Sequence, residues 1–179
     1  MMNNEADLVH QVQRGDRKAF AMLVERYERP IFNLAYRMVR DADDAADVTQ
    51  NAFVKAFRKI DTFNPDYKFF NWLYRIAVNE AINFLDRQKR AREFAYDPPP
   101  NPPLPDEDCH RHETNELFTR ALTAMTLDQR IVIILKHLIS LSYHDIAAIL
   151  EIPEKTVKSR LFSARQVLRE QLVEQGYKR

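Results

Sequence analysis

Residues 141–172 read LSYHDIAAILEIPEKTVKSRLFSARQVLREQL. Ser142, with Asp145 three residues on, is a helix-start signal, and the apolar run behind it predicts a short helix ending near Leu150. Glu151-Ile152-Pro153 reads as a tight turn, and Pro153 suits the first turn of a last helix running to about Glu174. A short helix, a three-residue turn and a longer basic helix make a helix-turn-helix, whose second helix enters the major groove of DNA. At about 100° per residue, Val157, Leu161, Ala164 and Leu168 cluster on one face, which is the face to bury. Lys155, Ser159, Phe162, Ser163 and Gln166 point the opposite way, Lys158, Arg165 and Arg169 line one flank, and Arg160 the other. Small polar and amide groups can read base edges, and flanking cations hold phosphates without specifying sequence. An ordinary amphipathic surface helix has a similar charged face; the capped helix and turn ahead of this one favour DNA.

Upstream, Thr126 and Gln129 form a capping box for a helix to about residue 139, preceded by a helix over about 113–124. Before these lies PPPNPPLP, which holds six of the nine prolines and cannot be helix or central strand. Asp97, Asp106, Glu107, Asp108, Glu113 and Glu116 surround it. The segment reads as an acidic interdomain linker over about 93–112. Basic clusters flank it, one at Arg75, Arg87, Lys89, Arg90 and Arg92, the other on the last helix, so a net charge of only +1 conceals two cationic patches.

The N-terminal half is helix-periodic too. Asp16 precedes a long helix in which Phe20, Leu23, Val24, Tyr27, Ile31, Leu34, Ala35 and Met38 recur at helical spacing, with Pro30 expected to kink or split it. Asp41 caps a second helix over about 42–60, and a third covers about 69–91. On the second, Ala45, Ala52, Phe53, Ala56 and Ile60 can face inward, leaving Asp44, Asp47, Asn51, Val54 and Arg58 outside. Residues 63–76, FNPDYKFFNWLYRI, crowd six aromatic rings beside cations. Exposed rings stack on unpaired bases while cations hold the backbone, the combination that single-stranded DNA binding needs. Several of these rings belong to the core, with Phe63, Phe70 and Leu73 the expected members; the exposed candidates are Tyr67, Lys68, Trp72, Arg75 and Asn79, with a turn at Asn64-Pro65-Asp66 beside a pocket for a displaced base.

Composition excludes several classes. Two glycines, Gly15 and Gly176, are too few for a Gly-rich nucleotide cradle or for an all-β or doubly wound fold. The single Cys109 rules out an internal disulfide and fits a reducing compartment. The N-terminal sequence lacks a signal-peptide pattern, and the longest apolar run, Ile131–Leu135, is far short of the roughly 20 residues that span a membrane. The expectation is an all-α, soluble, cytoplasmic chain: a domain over 1–92, a Pro-rich linker over 93–112 and a helix-turn-helix domain over 113–179.

These features together resemble the sigma-70 superfamily, in particular its extracytoplasmic-function (ECF) group, over about 5–92 and 113–174. The stretch at 141–172 is similar to that family's -35-reading helix-turn-helix, DADDAADVTQNAFVKAFRKIDTF to its polymerase-binding helix, and FNWLYRIAVNEAINFLDRQKR to its -10 recognition and melting helix. The resemblance implies a region 2 bundle and a region 4 helix-turn-helix. It implies that Asp44, Asp47, Gln50 and Asn51 dock on the coiled coil of the β′ subunit of core RNA polymerase. Asn64, Tyr67, Lys68, Trp72, Arg75 and Asn79 would capture and hold open the -10 element. Lys158, Ser159 and Ser163 would read the -35 element, with Thr156 beside them and Lys155, Arg160 and Arg165 on phosphates. The linker would thread toward the polymerase channels, and an anti-sigma factor is an expected partner. The family's turn usually has Gly where Glu151 stands, and Ser163 and Asn51 replace a frequent Arg and Glu.

Two other functions compete. A dimeric helix-turn-helix regulator with an N-terminal sensor domain predicts palindromic sites, but neither the aromatic-basic segment nor the polar second helix serves a ligand pocket. An enzyme would have to use Cys109, His110 and His112, which lie in the acidic linker, where no preorganised site is expected. No cofactor, metal site or small-molecule substrate is expected.

Overall fold

Side-chain caps set most of the helix starts in the computed structural model, which describes residues 4–94, 122 and 124–174. Asp16 accepts the backbone N–H groups of Lys18 (2.8 Å) and Ala19 (3.3 Å), and Asp41 those of Asp43 (2.9 Å) and Asp44 (3.0 Å). Each carboxylate satisfies donors that a helix start leaves orphaned. Among the described residues all regular structure is helical. The chain divides into two compact units between Pro98 and Pro99.

In the first unit, α1 spans Glu5–Gln13, α2 Arg17–Val39, α3 Ala42–Lys59 and α4 Phe69–Phe94, with a 3-10 turn at Ile60–Thr62. Helix α1 was not anticipated from the sequence, although Leu8, Val9 and Val12 recur at helical spacing and are buried. Two residues past its end stands Gly15, whose φ of +93° suits glycine at a tight reversal. Pro30 does not split α2, which is one helix from end to end. A proline removes one hydrogen bond, but here Tyr27, Ile31 and Leu34 are buried on both sides of the gap and hold the two halves together. The core joins Leu23, Ile31, Leu34 and Met38 to Leu73 and Tyr74. The inward residues expected on α3, Ala45, Ala52, Phe53, Ala56 and Ile60, are all buried. Two polar pairs tie helices together: the Tyr27 hydroxyl donates to the Glu5 carboxylate, and Lys55 on α3 pairs with Glu80 on α4. Burial and the Glu5 carboxylate both push the Tyr27 hydroxyl pKa up.

In the second unit, α5 spans Leu127–Ile133, α6 Tyr143–Leu150 and α7 Glu154–Glu174. The Thr126 capping box is formed in both directions: Gln129 N–H donates to Thr126 Oγ1 at 3.3 Å, and Thr126 N–H to Gln129 Oε1 at 3.1 Å. The helix expected to reach 139 changes character first, into a π-helical turn over Ile134–Leu138, with Ile139 N–H donating to Ile134 O at 3.1 Å. Ser142 caps α6, accepting Asp145 N–H at 3.0 Å while donating its hydroxyl to the Asp145 carboxylate at 2.6 Å. Glu151 takes up the left-handed conformation (φ 54°) that closes α6, where a glycine would carry no Cβ penalty.

The proposed linker begins where α4 still continues, since Glu93 and Phe94 are helical; its remainder, with Cys109, His110 and His112, lies outside the described residues. Of the helix expected over 113–124, only residues 122 and 124 are described.

Candidate nucleic-acid interface

Helix α7 separates its two faces. Val157, Leu161 and Ala164 are buried against the rest of the unit, and Leu168 is half-buried. Lys155, Lys158, Ser159, Arg165, Gln166 and Arg169 are exposed, and Phe162 stands 67% exposed among them. A large ring kept in water by a helix with a complete core stripe is an apolar surface offered to something. Thr156, Arg160 and Ser163 differ from their neighbours in being half-buried. Arg160 pairs with Asp128 at 2.7 Å. Ser163, expected to point outward, instead turns its hydroxyl onto Arg160 O (3.0 Å) and receives Gln129 Nε2 (3.4 Å). Both lie on the flank that meets α5, so the fold already uses their polar groups.

The opposite flank gathers residues that the sequence did not single out. The Tyr143 ring sits under two cations, Lys136 at 4.8 Å and Lys158 at 5.8 Å from its centroid. Such contacts are worth about 0.5–1 kcal/mol at exposed sites. Lys136 also donates to Leu141 O at 2.9 Å. Arg165 directs Nε and Nη2 at His137 Nε2, each at 3.4 Å. Burial lowers the His137 pKa, and the Arg165 and Lys136 charges lower it further, which favours the neutral ring that can accept from Arg165. The π-helical turn brings Lys136 and His137 here, and periodicity alone carries no signal for it. Across the helix-turn-helix, His144 Nδ1 and Glu154 Oε1 lie 3.3 Å apart.

In the first unit the aromatic segment is sorted differently from expectation. Phe63 and Leu73 are core, as expected, but Phe69 is the buried ring (3% exposed) and Phe70 only half-buried. The α4 register decides this: Phe69 shares the inward face with Leu73 and Ala77, four and eight residues on. Trp72, expected to be exposed, is half-buried, with its ring 5.4 Å from Phe63 and 5.6 Å from Phe69. Arg75 is half-buried as well. Asn64, Lys68 and Asn79 are exposed, and Tyr67 is 71% exposed. The turn at 64–67 is formed: Asn64 Oδ1 accepts Asp66 N–H at 2.9 Å and Asn64 O accepts Tyr67 N–H at 3.1 Å. Beside it lies a cleft of about 50 Å³, lined by Val9, Phe63, Pro65, Tyr67 and Phe69 among others. That is room for a few waters rather than a base, so a flipped base has to open it.

On α3, Asp47, Gln50 and Asn51 are exposed and Asp44 is half-buried. Next to them an open groove of about 1010 Å³ runs between α2 and α3. Phe20, Val24, Phe32, Val54 and Phe57 supply much of its apolar wall, and Arg17, Glu28, Arg29 and Arg58 its charged lining. Phe57, 41% exposed, was not singled out from the sequence; Val54, equally exposed, was.

Residues 23–91 match the Sigma-70 region 2 family, and residues 115–168 the Sigma-70 region 4 family. The ECF RNA polymerase sigma-E factor of Escherichia coli K12 is 37% identical over 183 residues, covering 90% of each chain. This chain is an ECF sigma factor of the sigma-70 family. Its function is that of a sigma factor, which gives core RNA polymerase its promoter specificity. The RNA polymerase sigma-H factor of Pseudomonas aeruginosa is 35% identical, covering 94% of both sequences. Among solved structures, this sigma factor is similar to CnrH bound to the cytosolic domain of CnrY (25% identity, 97% of this chain and 99% of that one, TM-score 0.75). It is also similar to RpoE of Bartonella quintana bound to the anti-sigma factor NepR (27%, 87% and 97%, TM-score 0.76). The region 2 match occupies the half where a dimeric regulator was expected to carry its sensor domain, so that alternative is not favoured.

Proposed function

We propose a division of labour within this sigma factor that follows its two units. Residues 1–92 bind core polymerase and open the -10 element, residues 113–179 read the -35 element, and residues 93–112 tether them. The observation that carries the reading is the helix-turn-helix whose second helix keeps Lys155, Lys158, Ser159 and Arg165 exposed while Val157, Leu161 and Ala164 are buried. Lys158 and Ser159 face base edges, while Lys155 and Arg165 meet phosphates. Thr156, Arg160 and Ser163 act from the flank, with Arg160 first leaving Asp128.

In the other unit, Asp44, Asp47, Gln50 and Asn51 form a polar strip on α3 for the β′ coiled coil, with the α2–α3 groove beside them to take apolar side chains of the partner. Asn64, Tyr67, Lys68, Trp72, Arg75 and Asn79 hold the non-paired strand. Binding energy from polymerase and both promoter elements drives strand separation, and the chain itself does no covalent chemistry. An anti-sigma factor is a further partner, by analogy with the relatives solved in such complexes. The site of action is the cytoplasm; among the described residues no helix is long and apolar enough to cross a membrane.

Run-off transcription by core RNA polymerase on a library of promoter fragments tests this. Transcripts that need the chain and start a fixed distance from two short elements support it. Polymerase-independent binding to a palindrome, without stimulated transcription, overturns it.

A further inference from the structure

Gln13 ends α1, far in sequence from the Asn64–Lys68 loop, yet its amide reaches the root of that loop. Its Nε2 donates to Ile60 O at 3.0 Å and to Phe63 O at 3.1 Å. Both partners are carbonyls, so only the amide nitrogen can face them. The two acceptors bracket the 3-10 turn that feeds the loop, and Ile60 O also accepts Phe63 N–H at 3.1 Å. Beyond that root the loop closes its own local turn at Asn64. Helix α1 also walls the small cleft beside the loop, with Glu5, Ala6 and Val9 facing Pro65, Tyr67 and Phe69. The helix is itself well anchored, because Leu8 and Val12 are buried and Glu5 accepts the Tyr27 hydroxyl.

We propose that Gln13 is a positioning residue for promoter opening: its amide clamps the loop root and sets where Tyr67 and Lys68 stand when an unpaired base arrives. This rests on reading the loop as the strand-capturing element. The two hydrogen bonds are only partly buried, since Gln13 is itself half-exposed. Water can replace the amide, so losing the clamp loosens the loop rather than unfolding the unit. The cost falls on the step that needs the loop already in place.

The test is open-complex formation by holoenzyme reconstituted from the full chain and core polymerase, on a promoter found by the run-off assay. It is followed by 2-aminopurine fluorescence in the -10 element, with closed-complex affinity and Tm measured in parallel. Gln13→Glu keeps the shape but presents a carboxylate to two carbonyls, and Gln13→Lys keeps donors at similar reach. Gln13→Glu is expected to slow opening roughly tenfold at unchanged closed-complex affinity, the scale of one to two lost hydrogen bonds. Gln13→Lys restores most of the rate, and adding Gln13→Glu to Tyr67→Ala slows opening no further. If Tyr67→Ala slows opening and Gln13→Glu does not, the clamp is wrong and the loop reading stands. If neither does, the loop reading falls and takes the clamp with it. Equal losses in both steps with a lowered Tm make Gln13 a structural support only and overturn the proposal. Should Gln13→Glu fail to fold, Gln13→Ala is judged by the same criteria.

Discussion

The two surfaces assigned to DNA are built in opposite ways. On α7 the residues that hold the core and those that face outward are different residues: Val157, Leu161 and Ala164 are buried, while Lys155, Lys158 and Ser159 are exposed. On α4 they overlap. Trp72 packs on Phe63 and Phe69, and Arg75 is half-buried beside the core. Reading duplex DNA needs a rigid helix carrying side chains that can be exchanged. Holding an open strand needs rings and cations set in a rigid frame, and here the frame includes them. The exposed part of the proposed -35 surface, Lys155, Lys158 and Ser159, can therefore change at little cost to folding, whereas Trp72 and Arg75 of the proposed -10 surface cannot.

The largest expected effect tests the overlap. Trp72→Ala removes a half-buried ring from two aromatic contacts and should cost about 2–3 kcal/mol, below the figure for a fully buried aromatic. It should also impair promoter opening more than closed-complex binding. Denaturant unfolding and opening kinetics on the same preparation check both; a stability loss under 0.5 kcal/mol would break the contrast, and equal loss of binding and opening would remove Trp72 from the melting step.

Lys55→Ala comes next, because it leaves the nearly buried Glu80 carboxylate (side chain 8% exposed) without its partner across α3 and α4. The expected cost is about 1–2 kcal/mol, reduced because Lys55 is itself 47% exposed and water reaches the pair. Recovery in Lys55→Ala/Glu80→Gln would show that the stranded charge, rather than lost packing, is the cause.

In the other unit Glu151→Gly should stabilise by about 1 kcal/mol, by relieving a left-handed residue at the turn. A drop in Tm would mean that the Glu151 side chain contributes more than its backbone costs. Lys158→Ala should alter stability by less than about 0.5 kcal/mol. It should weaken binding at the upstream element and, if Lys158 meets a phosphate as well as a base, reduce the salt slope by about 1. Unchanged affinity across salt concentrations would take it out of the interface.

The smallest effect is in pH. The folded His137 has a lowered pKa, so the folded chain holds this proton less well than the unfolded chain does. Its contribution is present above the unfolded value near 6.5 and is lost as pH falls below it. His137→Gln should flatten the acid-side fall in stability of the C-terminal unit, followed through α7 amide signals. An unaltered slope would assign that fall to other groups.

The legible parts of the chain were those set by local chemistry. Asp16, Asp41, Thr126 and Ser142 announce helix starts because a cap binds backbone within three residues of itself. The core stripe of α7 follows from helical geometry alone. What stayed hidden depends on neighbours distant in sequence. Phe69 and Phe70 are chemically equal and both rings meet Tyr27; only Phe69 also reaches Phe63, on the face that the α4 register turns inward. Gln13 meets Ile60 and Phe63 across some fifty positions, and no pattern in the intervening sequence signals that contact. On an isolated wheel Ser163 looked outward and Arg160 looked free on its flank, because a wheel does not include α5.

The π-helical turn at Ile134–Leu138 amounts to one more residue than an α-helix would use over that length. One residue is about 100° of rotation. An α-helix that kept going would swing Lys136 away from Tyr143 and His137 away from Arg165, and two of the cations on that flank would lose the neighbours that hold them. The turn thus works as a phase adjustment between two helical segments: the length of one loop of backbone sets the azimuth of side chains that the core never touches. A single-residue deletion there would re-aim this flank while leaving every residue of α7 unchanged, a route by which a promoter preference can drift without any substitution on the helix proposed to read it.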